Sequence, residues 1–406
     1  MSLFTSLLIL LLISRVAGEV AERLGQPAMV GEILAGVLLG PSVFSLVQIT
    51  PELKAIADLG VFLLVLLAGM EMEVSRLAEA TRGRGVWVPV LGFLTPLSLG
   101  MVIGALFGLD ATRALFLGLC LAITALPVSI RILMDLDRLH TRTGQLIVSA
   151  AVTHDIAALL TLGVILQAGS GDGSFLSAMR WTALGVAKTA LFILLITGAY
   201  RLVEYWASLT PRARRVVSGV VAALRGKETV FALTVTFVLL FATLSDAVGL
   251  HFVAGTFFGG MLLSQRAIGR RNFDAVQKTA SAVAMGFLAP VFFALVGLQF
   301  QVSALASWGL AAAVLATGFA GKLLGGYAGA TAAGLEYRDR WIVAFGLNGR
   351  GVMDLVIATI ALENGFIEPP LFSVLVLTAI VGAVLTPLLL RRAYGGAEEP
   401  EPAAAT

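Results

Sequence analysis

The sequence predicts an all-helical integral membrane protein, and two bulk observations and one pattern carry that prediction. The 406 residues are 58% hydrophobic and only 13% charged, and their mean hydropathy is +0.95. A soluble domain of that length needs far more charge to cover its surface. Apolar segments of roughly 18 to 25 residues, the length of a helix that crosses a bilayer, recur along the whole chain. They lack the alternation of barrel strands, and backbone groups in lipid must be satisfied internally, so the segments are read as helices.

About thirteen spans follow, centred near Leu10, Ala35, Leu64, Leu97, Leu121, Ala150, Leu191, Val238, Gly259, Phe292, Thr317, Val352 and Val376. The N-terminal stretch has neither a basic leader region nor a small-residue cleavage motif and reads as the first span. Placing the N-terminus outside puts 21 of the 28 Lys and Arg residues on cytoplasmic segments. Only Lys54, Arg113 and Arg180 then fall outside, with Lys188, Arg131, Lys322 and Arg350 at or near membrane depth. That asymmetry is the one expected for N-out, C-in and an odd number of spans.

Several function classes lose support at once. The net charge of +3 is a membrane-topology signal, and the basic loop from Arg201 to Lys227 reads as a lipid-facing linker, with no nucleic-acid partner expected. The single cysteine, Cys120, excludes a disulfide framework. No nucleophile–base pair or metal cluster is visible, so an enzyme is not expected, nor is any cofactor. The closing residues, GGAEEPEPAAAT, read as a disordered tail.

The chain repeats itself. Gly25, Gly31, Gly36, Leu38 and Leu39 recur 224 residues later as Gly249, Gly255, Gly260, Leu262 and Leu263. AGMEMEVS, ending at Ser75, recurs after 228 residues as VGLQFQVS, ending at Ser303, and RILMDL from Arg131 recurs after 219 as RGVMDL from Arg350. Spans one to six therefore match eight to thirteen. Seven spans separate the copies, so the second starts on the opposite side of the membrane, an inverted-topology repeat of the kind secondary transporters use. Spans five and twelve, which are partners, are both interrupted: the fifth by Thr124, Pro127 and Ser129, the twelfth by Asn348, Gly349, Arg350 and Gly351. Proline removes a backbone donor and clustered glycine lets the helix unwind, and broken helices in corresponding positions point to a substrate site.

Charge inside a span costs about 2.5–3.5 kcal/mol per residue, which makes Asp155 and Lys322 site candidates. The repeat partners of both positions, around Val374 and Leu97, carry no charge. Proton and hard monovalent cation compete for a buried carboxylate, so loading one expels the other. The plainer alternative is a buried Asp155–Lys322 ion pair that only joins helices. Arg131 with Asp135, and Arg350 with Asp354, are spaced i, i+4 and are read as pairs that compensate the helix breaks. His154 projects about 100° away from Asp155 on a helix and is read as packing or tuning the site, with ion ligation as the other option. A symporter or solute carrier on the same fold would need a roomier polar cavity, and a channel would conduct without proton coupling.

The strings RLGQPAMVGEILAGVLLGPSVF, GLHFVAGTFFGGMLLS, LAPVFFALVGLQF and GLNGRGVMDLVIATIALENG together resemble the Kef/Nap-type branch of the monovalent cation:proton antiporters, over nearly the whole chain. The resemblance implies exchange of Na⁺ or K⁺ for protons across the inner cell membrane, by alternating access in a homodimer. It divides the chain into scaffold and first core helix (1–107), core helices with the ion site (108–170), linker (171–228), scaffold (229–305), core (306–393) and tail (394–406). Asp155 matches the family's ion- and proton-binding aspartate, Lys322 the basic residue facing it, and Thr124 to Ser129 and Asn348 to Gly351 the crossed, unwound segments. The departure is His154: sodium-type members have Asp-Asp there and potassium-efflux members Gln-Asp. Lys322 thus loses its usual carboxylate partner, which leaves ion choice and stoichiometry open, with electroneutral exchange through the single Asp155 as the leading expectation. A K⁺-selective, proton-coupled efflux system is the alternative.

Overall fold

A computed structural model describes residues 2–71, 83–125, 141–168, 227–248, 250–263, 268–302 and 308–395, with scattered positions between 129 and 139 and between 187 and 201. The described residues form helices and short connections without a strand. In chain order the helices are α1 (Leu3–Arg23), α2 (Ala28–Leu39), α3 (Pro51–Met70), α4 (Trp87–Leu106), α5 (Ala111–Ala122), α6 (Arg142–Ala168), α7 (Lys227–Val248), α8 (Phe252–Leu262), α9 (Arg270–Val283), α10 (Ala289–Gln299), α11 (Trp308–Ala332), α12 (Tyr337–Gly346), α13 (Val352–Glu363) and α14 (Pro369–Gly395). Among the described residues, eight helices are long and apolar enough to cross a membrane. Every predicted span centre falls on or at one of these helices except Leu191, whose span lies almost wholly outside the described residues, as do Pro127, Arg131 and Asp135.

Local chemistry sets the helix ends. Thr50 caps α3, its hydroxyl accepting from the Leu53 amide at 3.3 Å, with Pro51 at the first helical position. The Asp110 carboxylate likewise accepts from the Arg113 amide at 2.9 Å to start α5. A π turn at Ala284–Leu288 joins α9 to α10, giving a continuous helix of 30 residues, Arg270–Gln299. At 1.5 Å per residue this is about 45 Å, longer than the ~30 Å hydrocarbon layer. Its first turns, carrying Arg270, Arg271 and Lys278, therefore reach beyond the apolar core.

The chain divides into two compact units. The first holds residues Met1–Ala17, Glu32–Val74 and Ile156–Leu298; the second holds Gly18–Gly31, Ser75–Asp155 and Gln299–Thr406. Within the first unit the repeat becomes physical. Gly36 of α2 faces α10, where an added β-carbon would lie 2.9 Å from the Ala294 Cα; one on Gly297 would lie 2.8 Å from the Gly36 Cα. Their repeat partners make the same crossing with the halves exchanged. A β-carbon on Gly260 of α8 would lie 2.7 Å from the Leu66 carbonyl oxygen of α3, and one on Gly69 would lie 3.1 Å from the Gly260 Cα. Small residues permit such backbone contact between membrane helices. Gly297→Ala is expected to cost about 1–3 kcal/mol through overpacking, read as a lower melting temperature of the purified protein in detergent.

The second unit is organised around α11, whose glycines press on α4. A β-carbon on Gly321 would lie 2.8 Å from the Pro96 Cα, and one on Gly329 would lie 2.8 Å from the Val88 Cα. This approach brings Lys322 to the α4 backbone. Below it, Val88, Leu146, Ile147, Ile342, Val343, Leu347 and Leu390 form one buried cluster that locks α4, α6, α12 and α14 together.

Candidate ion site

Helix α5 stops at Ala122 because Ile123 turns extended (φ −71°, ψ 152°). Span twelve stops at Gly346 and restarts at Val352, with Gly351 fully extended between (φ −172°, ψ −146°). The two breaks are tied backbone to backbone, the Ala125 amide donating to the Gly349 carbonyl at 2.8 Å. Ser129 donates to the Ala125 carbonyl at 3.0 Å. A β-carbon on Gly349 would lie 2.9 Å from the Ser129 hydroxyl, which would have to give way to admit it. Asn348 folds back to donate to the Ala344 carbonyl at 3.0 Å, closing α12.

A helix ending inside the membrane leaves its last carbonyls without partners and its negative pole uncompensated. Here two buried cations take three consecutive carbonyls. Arg350 donates through Nη1 to Cys120 O at 2.7 Å and through Nη2 to Leu121 O at 3.0 Å, and Lys322 Nζ donates to Ala122 O. Arg350 also lies 3.7 Å from Asp354, which sits in the first turn of α13, at that helix's positive pole. Arg350 thus compensates a break, and the break it compensates is chiefly the one in the other half of the repeat.

Lys322 is fully buried. Beyond Ala122 O, its ammonium faces Thr124 Oγ1 at 2.7 Å, His154 Nδ1 at 3.2 Å and Gly92 O at 3.3 Å. Three hydrogens meet four acceptors. The partners fix the histidine tautomer: Nε2 lies 2.9 Å from Pro89 O, a carbonyl can only accept, and so Nε2 carries the hydrogen and Nδ1 presents its lone pair to Lys322. Thr124 Oγ1 lies 2.9 Å from Leu347 O and 3.0 Å from His154 Nδ1, either of which can take its hydrogen, and it faces Lys322 as an acceptor. His154 therefore faces the lysine as an acceptor without contributing a negative charge.

Asp155, one residue further along α6, is 2% exposed, and neither of its oxygens makes a hydrogen bond. Lys322 directs its bonds elsewhere, so the two charges are not held as a hydrogen-bonded pair. The breaks bring together Thr124, Ser129, Asn348, Gly349, Arg350 and Gly351 with Lys322, His154 and Asp354 in one unit, and Asp155 adjoins them. Sequence reasoning missed the part played by α4, which supplies the carbonyls of Pro89 and Gly92, and missed Gly382 of α14. A β-carbon on Gly382 would lie 2.9 Å from the Arg350 Cβ. No residue type marks a useful carbonyl; the proline and glycines of α4 were the only available signal.

Crossed, interrupted helices around buried, compensated charges define a secondary transporter of ions, and comparison with known proteins agrees. The chain belongs to the transmembrane sodium/hydrogen exchanger family, whose model matches residues 7–392; it is thus a polytopic membrane transporter and not an enzyme. It is 26% identical over 400 residues to the Na⁺/H⁺-K⁺ antiporter GerN of Bacillus cereus, covering 98% of this chain and 97% of that one. It is 29% identical over 390 residues to a Na⁺/H⁺ antiporter of Enterococcus hirae, covering 96% and 97%. Among solved structures it matches the sodium proton antiporter MjNhaP1 of Methanocaldococcus jannaschii with a TM-score of 0.71 over 98% of both chains, at 18% identity, which shows the shared fold.

Proposed function

We propose that the protein exchanges Na⁺ or K⁺ for protons one for one, by alternating access, with Asp155 as the sole alternating site. The observation that carries this reading is the Asp155 carboxylate, buried without a single hydrogen bond while the lysine of the site is committed to Thr124, His154 and backbone carbonyls. A buried carboxylate without a donor needs a positive partner, and a proton or a bare monovalent cation each neutralises it with one charge. Because His154 is a neutral acceptor, Lys322 has no carboxylate to release it and keeps its charge throughout the cycle. Net charge movement is then zero.

The names of the relatives support both Na⁺ and K⁺ as substrates. The division into two units suits a scaffold with a separate ion-carrying core, in a homodimer of the cell membrane with the N-terminus outside and the C-terminus in the cytoplasm.

The test is cation-driven proton movement in proteoliposomes across Li⁺, Na⁺, K⁺ and Rb⁺, repeated with the membrane potential clamped by a K⁺- or H⁺-independent lipophilic ion. Exchange with a rate that the clamped potential leaves unchanged is expected. A rate that responds steeply to voltage would mean that Lys322 or His154 carries a second charge and would overturn the one-for-one reading.

A further inference from the structure

The exchange site leaves a second buried carboxyl unexplained. Asp354 is 5% exposed, and neither of its oxygens makes a hydrogen bond of ordinary geometry; the Gly351 amide and the Arg350 guanidinium are the donors nearest to it. A carboxylate has about four lone-pair sites, and one buried without donors is costly. Among the described residues its nearest cation is Arg350, 3.7 Å away, whose Nη1 and Nη2 also donate to the Cys120 and Leu121 carbonyls. Against Asp354 lies a cavity with room for a single water molecule, walled by Cys120, Leu121, Arg350, Leu375, Thr378 and Ala379. The α14 wall offers no donor either, because Thr378 gives its hydroxyl hydrogen to Val374 O at 2.8 Å and can only accept.

Two ligands could satisfy such a carboxyl, a proton or a metal cation. A cation in that cavity would sit against the Arg350 guanidinium and be repelled, whereas a proton adds no volume and leaves Arg350 undisturbed on its carbonyls. A water in the cavity serves both states, donating to the carboxylate or accepting from the acid while donating to Thr378. Among the described residues, the charged and titratable groups around Asp354 are Arg350 in the break before its helix and Cys120 on α5, with Lys322 on α11 and Asp155 on α6 acting at longer range; α14 contributes none to the cavity.

We propose that Asp354 and this one-water cavity form a second proton-binding site, separate from the exchange site at Asp155 and taking no metal cation. A proton held there leaves the positive charge of Arg350 unbalanced on the end of α5, beside the carbonyl that Lys322 occupies. Acid would thereby disfavour cation loading without the proton itself being exchanged.

Infrared difference spectroscopy of the reconstituted protein between acid and neutral pH tests this directly, in an Asp155→Asn background so that the exchange carboxyl is silent. Subtracting the acid-minus-neutral spectrum of Asp155→Asn/Asp354→Asn from that of Asp155→Asn is expected to leave one carboxylic-acid C=O component, shifted in frequency in Asp155→Asn/Asp354→Glu, which keeps the proton site if the asparagine variant fails to fold. No such component in the double difference would overturn the proposal. So would a band that both Asp354 variants leave unchanged, since the proton would then sit on another buried carboxyl such as Glu32. The readout does not depend on transport, so the exchange reading at Asp155 can fail while this one stands, and the reverse.

Discussion

Proteoliposomes carrying Asp155→Asn are expected to lose cation-driven proton movement by at least about 100-fold, with no loss of fold. The size follows from the charge. Asparagine keeps the shape of the side chain but removes the negative charge that a cation or a proton neutralises. Compensating a buried charge at membrane depth is worth about 3 kcal/mol, and each 1.4 kcal/mol is tenfold in binding. The unchanged fold follows from the geometry. Asp155 makes no hydrogen bond that asparagine would break, and removing an unpaired buried charge lowers a desolvation cost. The melting temperature of the variant in detergent should equal or exceed that of the parent. Normal exchange by Asp155→Asn would sink the assignment of the site; a collapse in melting temperature would mean that Asp155 holds helices together.

Much of this arrangement is legible in the sequence because it is written in residue types that have a local cost. Glycine at Gly36, Gly69, Gly260 and Gly297 recurs at nearly fixed offsets, and the structure uses all four at two equivalent crossings, α2 on α10 and α8 on α3. The breaks at Thr124 and at Asn348–Gly351 announce themselves through proline and glycine, and Asp155 and Lys322 through the price of charge in lipid. What the sequence does not carry is the direction of a side chain toward another helix. The i, i+4 spacing of Arg350 and Asp354 suggests a shared helix face, whereas Arg350 lies in the break before α13 and still comes within 3.7 Å of Asp354. It is silent on the stronger commitment of Arg350 to Cys120 and Leu121, 230 and 229 residues away. Likewise an ion pair between Asp155 and Lys322 is a natural guess from two lone charges. The fold instead gives the lysine a ring nitrogen, a hydroxyl and backbone carbonyls, acceptors that no composition count distinguishes.

That commitment makes Lys322 the residue whose loss should most damage stability. Lys322→Met keeps most of the side-chain volume and removes the ammonium donors, leaving Ala122 O and Thr124 Oγ1 buried without the hydrogen they accept and His154 Nδ1 with only the Thr124 hydroxyl, 3.0 Å away, as a donor. Unsatisfied buried groups cost about 1–3 kcal/mol each, and the C-terminal pole of α5 loses one of its two cations. Against this stands the relief of removing a buried ammonium, so a net loss of about 3 kcal/mol is expected rather than the full sum. It is read as a lowered melting temperature in detergent. A second substitution separates the specific contact from general damage. In Lys322→Met/His154→Leu the ring nitrogen that lost its ammonium donor is gone, so the double variant should be more stable than the two single losses added together, by about 0.5–3 kcal/mol. Strict additivity would mean that Lys322 and His154 are not partners. Exchange per folded molecule should survive in Lys322→Met, because none of the lysine's hydrogen bonds reaches Asp155. If it disappears while the protein stays folded, the lysine takes part in ion loading, and the one-for-one cycle at a solitary carboxylate fails with it.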